Sequence, residues 1–234
     1  MIEAPEPAAG PVAVDGGRTA VAAGPALQSR LQDLVGDGLV LALAGAWTAG
    51  EDPSDEPPGV SRARQFRFGR EALARVIREL GLDANPVGVR FPHPRLSVSH
   101  TGRAAVAVGA RMDDVCGTGV DLEAWRSIDA RAARFFLDPD ELIRWPDWVI
   151  GSDDESTTLL RLWTVKEAVF KADTENAGRT LRDYRVARFG PSPGRMVGAP
   201  RVGRAHRRGA TFAFRCFRLD DLILTVARRE RTPQ

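Results

Sequence analysis

The run RLSVSHTGRAAVAVGA, residues 95–110, contains two strand-like segments joined at Thr101-Gly102, a pair suited to a hairpin. Upstream, apolar residues Phe66, Leu73, Val76, Ile77 and Leu80 recur at helical spacing, predicting a helix from about Arg62 to Leu80 that Gly81 stops. The order recurs further on. A helix is predicted over about 157–174, followed by strand-like DYRVARF (183–189), a Gly/Pro/Arg loop (190–209), TFAFRCF (211–217) and LILTVAR (222–228). Helix then hairpin, twice over, predicts an α+β fold of two similar halves packed on one another. The halves are placed at 27–116 and 117–234.

Between these units lie shorter signals. Residues 1–26 include 16 Ala, Gly or Pro without periodicity and read as a disordered tail. LVLALAGAW (39–47) reads as a buried strand, and AGEDPSDEPPGV (49–60) as an acidic connector. GTGVDLE (117–123) is strand-like. A helix is predicted to start with Asp138 as N-cap and Pro139 in its first turn, where Asp140 and Glu141 complement the dipole, so these acids read as structural.

Composition narrows the function classes. Of 234 residues, 43% are hydrophobic and 27% charged, values of a chain that buries a core. The net charge of +2, from 33 basic and 31 acidic residues, gives no strong global field for nucleic acid or membrane. The apolar stretch Leu39–Trp47 is far too short to span a bilayer, and MIEAPEPAAG lacks the features of a secretory signal. Cys116 and Cys216 lie far apart and suggest a reducing, cytoplasmic setting rather than a disulfide or cysteine-zinc framework. Only two of the basic residues are lysines, Lys166 and Lys171, and both fall in one short segment. Lysine supplies a compact charge whose proton can move, which arginine does not.

Three segments carry candidate chemistry. Strand alternation in GTGVDLE sends Val120 and Leu122 one way and Asp121 and Glu123 the other. Two such carboxylates could hold a hard divalent ion such as Mg2+, or simply form a solvated acidic face. In LWTVKEAVFKA (162–172) a helical wheel groups Val165, Ala168 and Val169 toward the core and Lys166, Glu167 and Lys171 away from it. A salt-bridged solvent face is the simple alternative, but Trp163 and Phe170 lie within it. Glu167 would add a third oxygen ligand, and Lys171 could meet phosphate oxygens. In SVSHTG, Ser99, His100 and Thr101 sit together at a strand end and could donate to phosphate; no GxSxG elbow accompanies them.

Thr118-Gly119-Val120-Asp121 followed by Trp163-Thr164-Val165-Lys166-Glu167-Ala168-Val169-Phe170-Lys171, and preceded by SVSHTG, resembles the paired signature of the 4'-phosphopantetheinyl transferases, of the larger surfactin-synthetase-activating type. Weaker likeness extends over roughly residues 60–190. The resemblance implies a monomer whose two halves form a pseudo-dimer with the active site in the cleft between them. It implies transfer of the phosphopantetheine arm of coenzyme A to a serine of an acyl or peptidyl carrier protein, releasing adenosine 3',5'-bisphosphate. It assigns Asp121, Glu123 and Glu167 to Mg2+, Glu167 as general base, and Lys171 to the pyrophosphate and leaving group. Ser99, His100 and Arg62 would contact coenzyme A. The family's G-K-P segment is replaced by Gly88-Val89-Arg90-Phe91-Pro92, which makes Arg90 the nearest coenzyme ligand. After Lys171 the chain reads ADTENAGRTLRDY where many members turn through glycines. The rival readings are a non-catalytic coenzyme A or nucleotide-binding module and an RNA binder built on RVGRAHRRG (201–209). Near-zero net charge and scarce aromatic platforms argue against the second.

Overall fold

The computed structural model describes residues 25–36, 38–45, 47, 58–111, 115–150, 153–191 and 200–231. The tail assigned to 1–26 lies outside them up to residue 24, as does most of the acidic connector. Helix α1 (Pro25–Val35) leads into β1 (Leu39–Gly45), α2 (Pro58–Glu79), β2 (Leu96–His100) and β3 (Ala104–Ala110). Then come β4 (Thr118–Ala124), α3 (Pro139–Arg144), α4 (Glu155–Ala172), β5 (Arg185–Pro191), β6 (Arg201–Arg207), β7 (Ala210–Leu219) and β8 (Leu222–Glu230). The fold is α+β, with antiparallel sheets ordered β1-β3-β2 and β4-β8-β7-β6-β5. Among the described residues no helix is long and apolar enough to cross a membrane.

Strand alternation builds the layers. On β1, Val40, Ala42 and Ala44 face α2, whereas Leu39, Leu41 and Leu43 face the five-stranded sheet. On β4 and β8, Val120, Leu122, Leu224 and Val226 meet those leucines. The opposite face of the larger sheet, with Phe212, Phe214, Cys216 and Ile223, packs on α4. The result is helix, sheet, sheet, helix, with α1 wedged beside the central layer through Leu27, Leu31 and Val35. β3 is buried along its whole length, which accounts for its small residues: a Cβ on Gly109 would lie 2.5 Å from both Val76 of α2 and Leu80 just after it.

Two sheet edges are closed by side chains. Gln32 Oε1 accepts from Leu41 N at 2.9 Å while its Nε2 donates to Leu39 O at 2.6 Å. Gln28 does the same one turn earlier, with Leu43 N as donor and Leu41 O as acceptor. The edge of β4 is met by β2: Ser97 Oγ accepts from Val120 N at 3.0 Å and Ser99 Oγ from Leu122 N at 3.2 Å.

One segment corrects the sequence reading. The loop expected over 190–209 contains β6. Its inward positions are Gly203 and Ala205, too small to show a strand's apolar alternation. They are small of necessity, since a Cβ on Gly203 would meet Arg188 O at 1.8 Å and the Phe214 ring at 2.5 Å. The same strand disposes of RVGRAHRRG as a free basic run: Arg201 pairs with Asp153 at 3.1 Å and Arg207 with Asp173 at 2.5 Å.

Asp173 caps the end of α4 and is fully buried, taking bonds from Arg207 and from Tyr184 Oη at 2.8 Å. Burial alone pushes its carboxyl up, but the bonds from Arg207 and Tyr184 outweigh this and hold it below the ordinary value of 3.8. Its contribution to stability is therefore complete above that value and is lost as pH falls through the lower native one. Asp173→Asn is expected to lower stability at neutral pH, by a margin that narrows as pH falls past 3.8 and through the lower native value. Denaturant midpoints across that range measure it; a margin independent of pH contradicts the assignment.

Candidate active site

The β2–β4 seam places the first candidate residues. Ser99, 7% exposed, accepts from β4 backbone and turns its hydroxyl toward Asp121, donating to Oδ1 at 3.0 Å. Lys171 Nζ of α4 donates to the same Oδ1 at 2.6 Å and to Ser99 Oγ at 3.3 Å. Asp121 is 4% exposed, so the solvated acidic face considered from sequence does not occur: α4 covers this side of β4. Among the described residues its buried Oδ2 has no hydrogen-bond partner.

The cover is close because of two glycines. A Cβ on Gly119 would lie 1.9 Å from Ala168 O and 2.6 Å from Ala172 N; one on Gly117 would lie 1.8 Å from Ala172 O. The glycines of GTGVDLE therefore let β4 touch the backbone of α4, which brings Lys171 to Asp121. Gly119→Ala is expected to force the two apart, at a cost of about 1–3 kcal/mol. Tm and any activity of the site should fall together; an unchanged Tm would mean that the approach is not needed.

Glu123, two residues along the strand, accepts from Trp163 Nε1 at 3.0 Å and lies 4.0 Å from Arg126. Burial pushes its carboxyl above 4.5, and the charge of Asp121 adds to this. Glu167 is raised likewise: burial comes first, Lys171 opposes, and the charges of Asp121 and Glu123 push further up. The three carboxylates thus share one field, with Lys171 as counter-charge. His100 feels the same lysine; burial and then Lys171 lower its pKa, so its imidazole favours the neutral form. Gly69 of α2 stands over His100, an added Cβ falling 3.7 Å from the ring.

Lys166 departs from the sequence reading. It does not share the outer face with Glu167 and Lys171 but is fully buried, donating to Glu141 Oε2 at 2.6 Å and Tyr184 O at 2.5 Å. Glu141 in turn accepts from Asp138 N at 2.8 Å and Val186 N at 2.6 Å, the first of these completing the capping box of α3. The wheel misplaced Lys166 because α4 has two buried sides, the sheet on one and α3, the Tyr184 segment and β5 on another. Arg62 on α2 and Arg90 before β2 are exposed, and among the described residues no contact ties either to the Asp121 group. Ser97, which sequence reasoning passed over, is the first half of the seam; its place two residues before Ser99, on one strand face, was the available signal.

Hard oxygen donors suit a hard divalent cation. Among the described residues no three His, Cys, Asp or Glu side chains form a ready-made metal cage. Asp121 Oδ2 is nonetheless a buried oxygen to which no described residue donates, and Glu123 and Glu167 would lose their mutual repulsion beside a positive ion. The residues fit such an ion as partial ligands, the mode in which Mg2+ commonly combines one or two carboxylates with substrate phosphates. No curated protein matches the chain. Residues 117–226, running from the glycines ahead of Asp121 through α4 and into β8, match the family model of the 4'-phosphopantetheinyl transferase superfamily.

Proposed function

We propose that the protein transfers the 4'-phosphopantetheine group of coenzyme A to a serine of an acyl or peptidyl carrier protein, as in the surfactin-synthetase-activating type. The observation that carries this reading is the convergence of Asp121, Glu123, Glu167 and Lys171 inside the segment matched to that superfamily. Asp121, Glu123 and Glu167 would hold Mg2+, which when bound neutralises the pyrophosphate at which transfer occurs. Glu167 accepts the proton of the carrier serine, acting as the general base. The serine oxygen forms a bond to the phosphorus of the phosphopantetheine arm, and the bridging P–O bond breaks to release adenosine 3',5'-bisphosphate.

Lys171 offers a compact ammonium for the charge that develops on the leaving phosphate. Ser99 and His100, at the end of β2, reach phosphate from the other side of the seam, and Arg62 and Arg90 extend coenzyme binding outward. We read the pseudo-dimer of halves as one catalytic unit within one chain, because Ser99 comes from the smaller sheet and the carboxylates from β4 and α4. Incubation with coenzyme A, Mg2+ and apo carrier proteins is expected to add one phosphopantetheine to the carrier, read by intact mass, and chelation should stop it. Coenzyme A binding without mass gain on any carrier tested would favour the non-catalytic module.

A further inference from the structure

On the face of the five-stranded sheet opposite α4, a cavity of about 930 Å³ opens between β5–β8 and the α1–β1 junction. Val35 and Leu39 form one wall, Val202, Ala213 and Val226 part of the floor. Strand register places Arg188, Arg204, Ala213 and Arg228 in a single row across four strands, all on this face. Arg215 stands one row away and donates to Leu34 O. Arg204 lies 3.3 Å from Glu230. Among the described residues Arg188 and Arg228 meet no acceptor or carboxylate.

This arrangement sets like charges side by side on an exposed sheet face. Arg188 and Arg204 are direct cross-strand partners, and like charges so placed destabilise a sheet. Ala213 between Arg204 and Arg228 leaves a dip with an arginine on each side, on strands whose backbones lie roughly 10 Å apart at two strand spacings. Planar guanidinium forks match phosphate oxygens in pairs, and a concave pocket of this size holds a small organic molecule. Asp121 and α4 lie on the other side of the same sheet, so the cavity is not the proposed catalytic centre.

We infer that this cavity binds a small molecule carrying two or more phosphates, across the Arg188–Arg204–Arg228 row. The probe is inorganic tripolyphosphate, titrated calorimetrically without divalent cations against the full chain. Wild type should bind it at one site. Arg204→Ala with Arg228→Ala should weaken binding by about tenfold or more, since two charge-assisted contacts are lost. Lys171→Ala should leave it unchanged. The double variant should melt no lower than wild type without ligand, because repulsion has been removed, and it should keep any transferase activity. Equal affinity in the double variant, loss in Lys171→Ala, or no binding to wild type overturns the inference. So does tighter binding of a polyglutamate peptide or an RNA oligomer than of tripolyphosphate, which would make the face a macromolecular surface.

Discussion

Glu167→Gln is expected to reduce phosphopantetheine transfer by about 10²–10⁴-fold, the range lost when a positioned general base is removed. It should do so without unfolding the protein. In the native state Glu167 is held above its ordinary pKa by burial and by Asp121 and Glu123, so an uncharged isostere relieves repulsion rather than breaking a bond. Stability of the variant should equal or exceed that of wild type at neutral pH. Turnover by intact-mass assay and denaturant midpoints, measured on one preparation, separate the two effects. Near-normal turnover removes Glu167 from the mechanism; a large stability loss makes it a structural residue instead.

Lys166→Met is expected to have the opposite signature, with a stability loss of about 3–5 kcal/mol. The pair it breaks is completely buried, and burial is the main influence lowering the Lys166 pKa, with Glu141 opposing. Methionine fills similar space but leaves Glu141 charged in the interior with only backbone donors, Asp138 N and Val186 N. The same change releases Tyr184 O and loosens α4 from α3 and β5. Equilibrium denaturation gives the loss directly. A cost below about 1 kcal/mol would mean that the interior tolerates the carboxylate without its lysine partner.

These two residues are neighbours in sequence, and the contrast between them marks what a sequence can disclose. The rarity of lysine singled out Lys166 and Lys171, and alternation in GTGVDLE put Asp121 and Glu123 together, as β4 does. The helix-then-hairpin order yielded the α+β class because α2 packs on the smaller sheet and α4 on the larger. Lys166 escaped because a wheel separates apolar from polar, not buried from exposed, and an ion pair is hidden only when its partner, Glu141, is 25 positions away. β6 escaped because its inward face is glycine and alanine. The burial of Asp121 escaped because it depends on helix–strand distance, which the glycines permit but do not announce.

The glutamine side chains along β1 and the serine seam along β4 have a consequence for solubility. Unpaired strand edges are templates on which other polypeptides add, and chains commonly blunt them with charge or proline. Here neutral side chains occupy those vacant positions from within the molecule, along one edge of each sheet. A newly made copy therefore presents fewer sticky borders to its neighbours once α1 has docked and the hydroxyls of β2 have engaged.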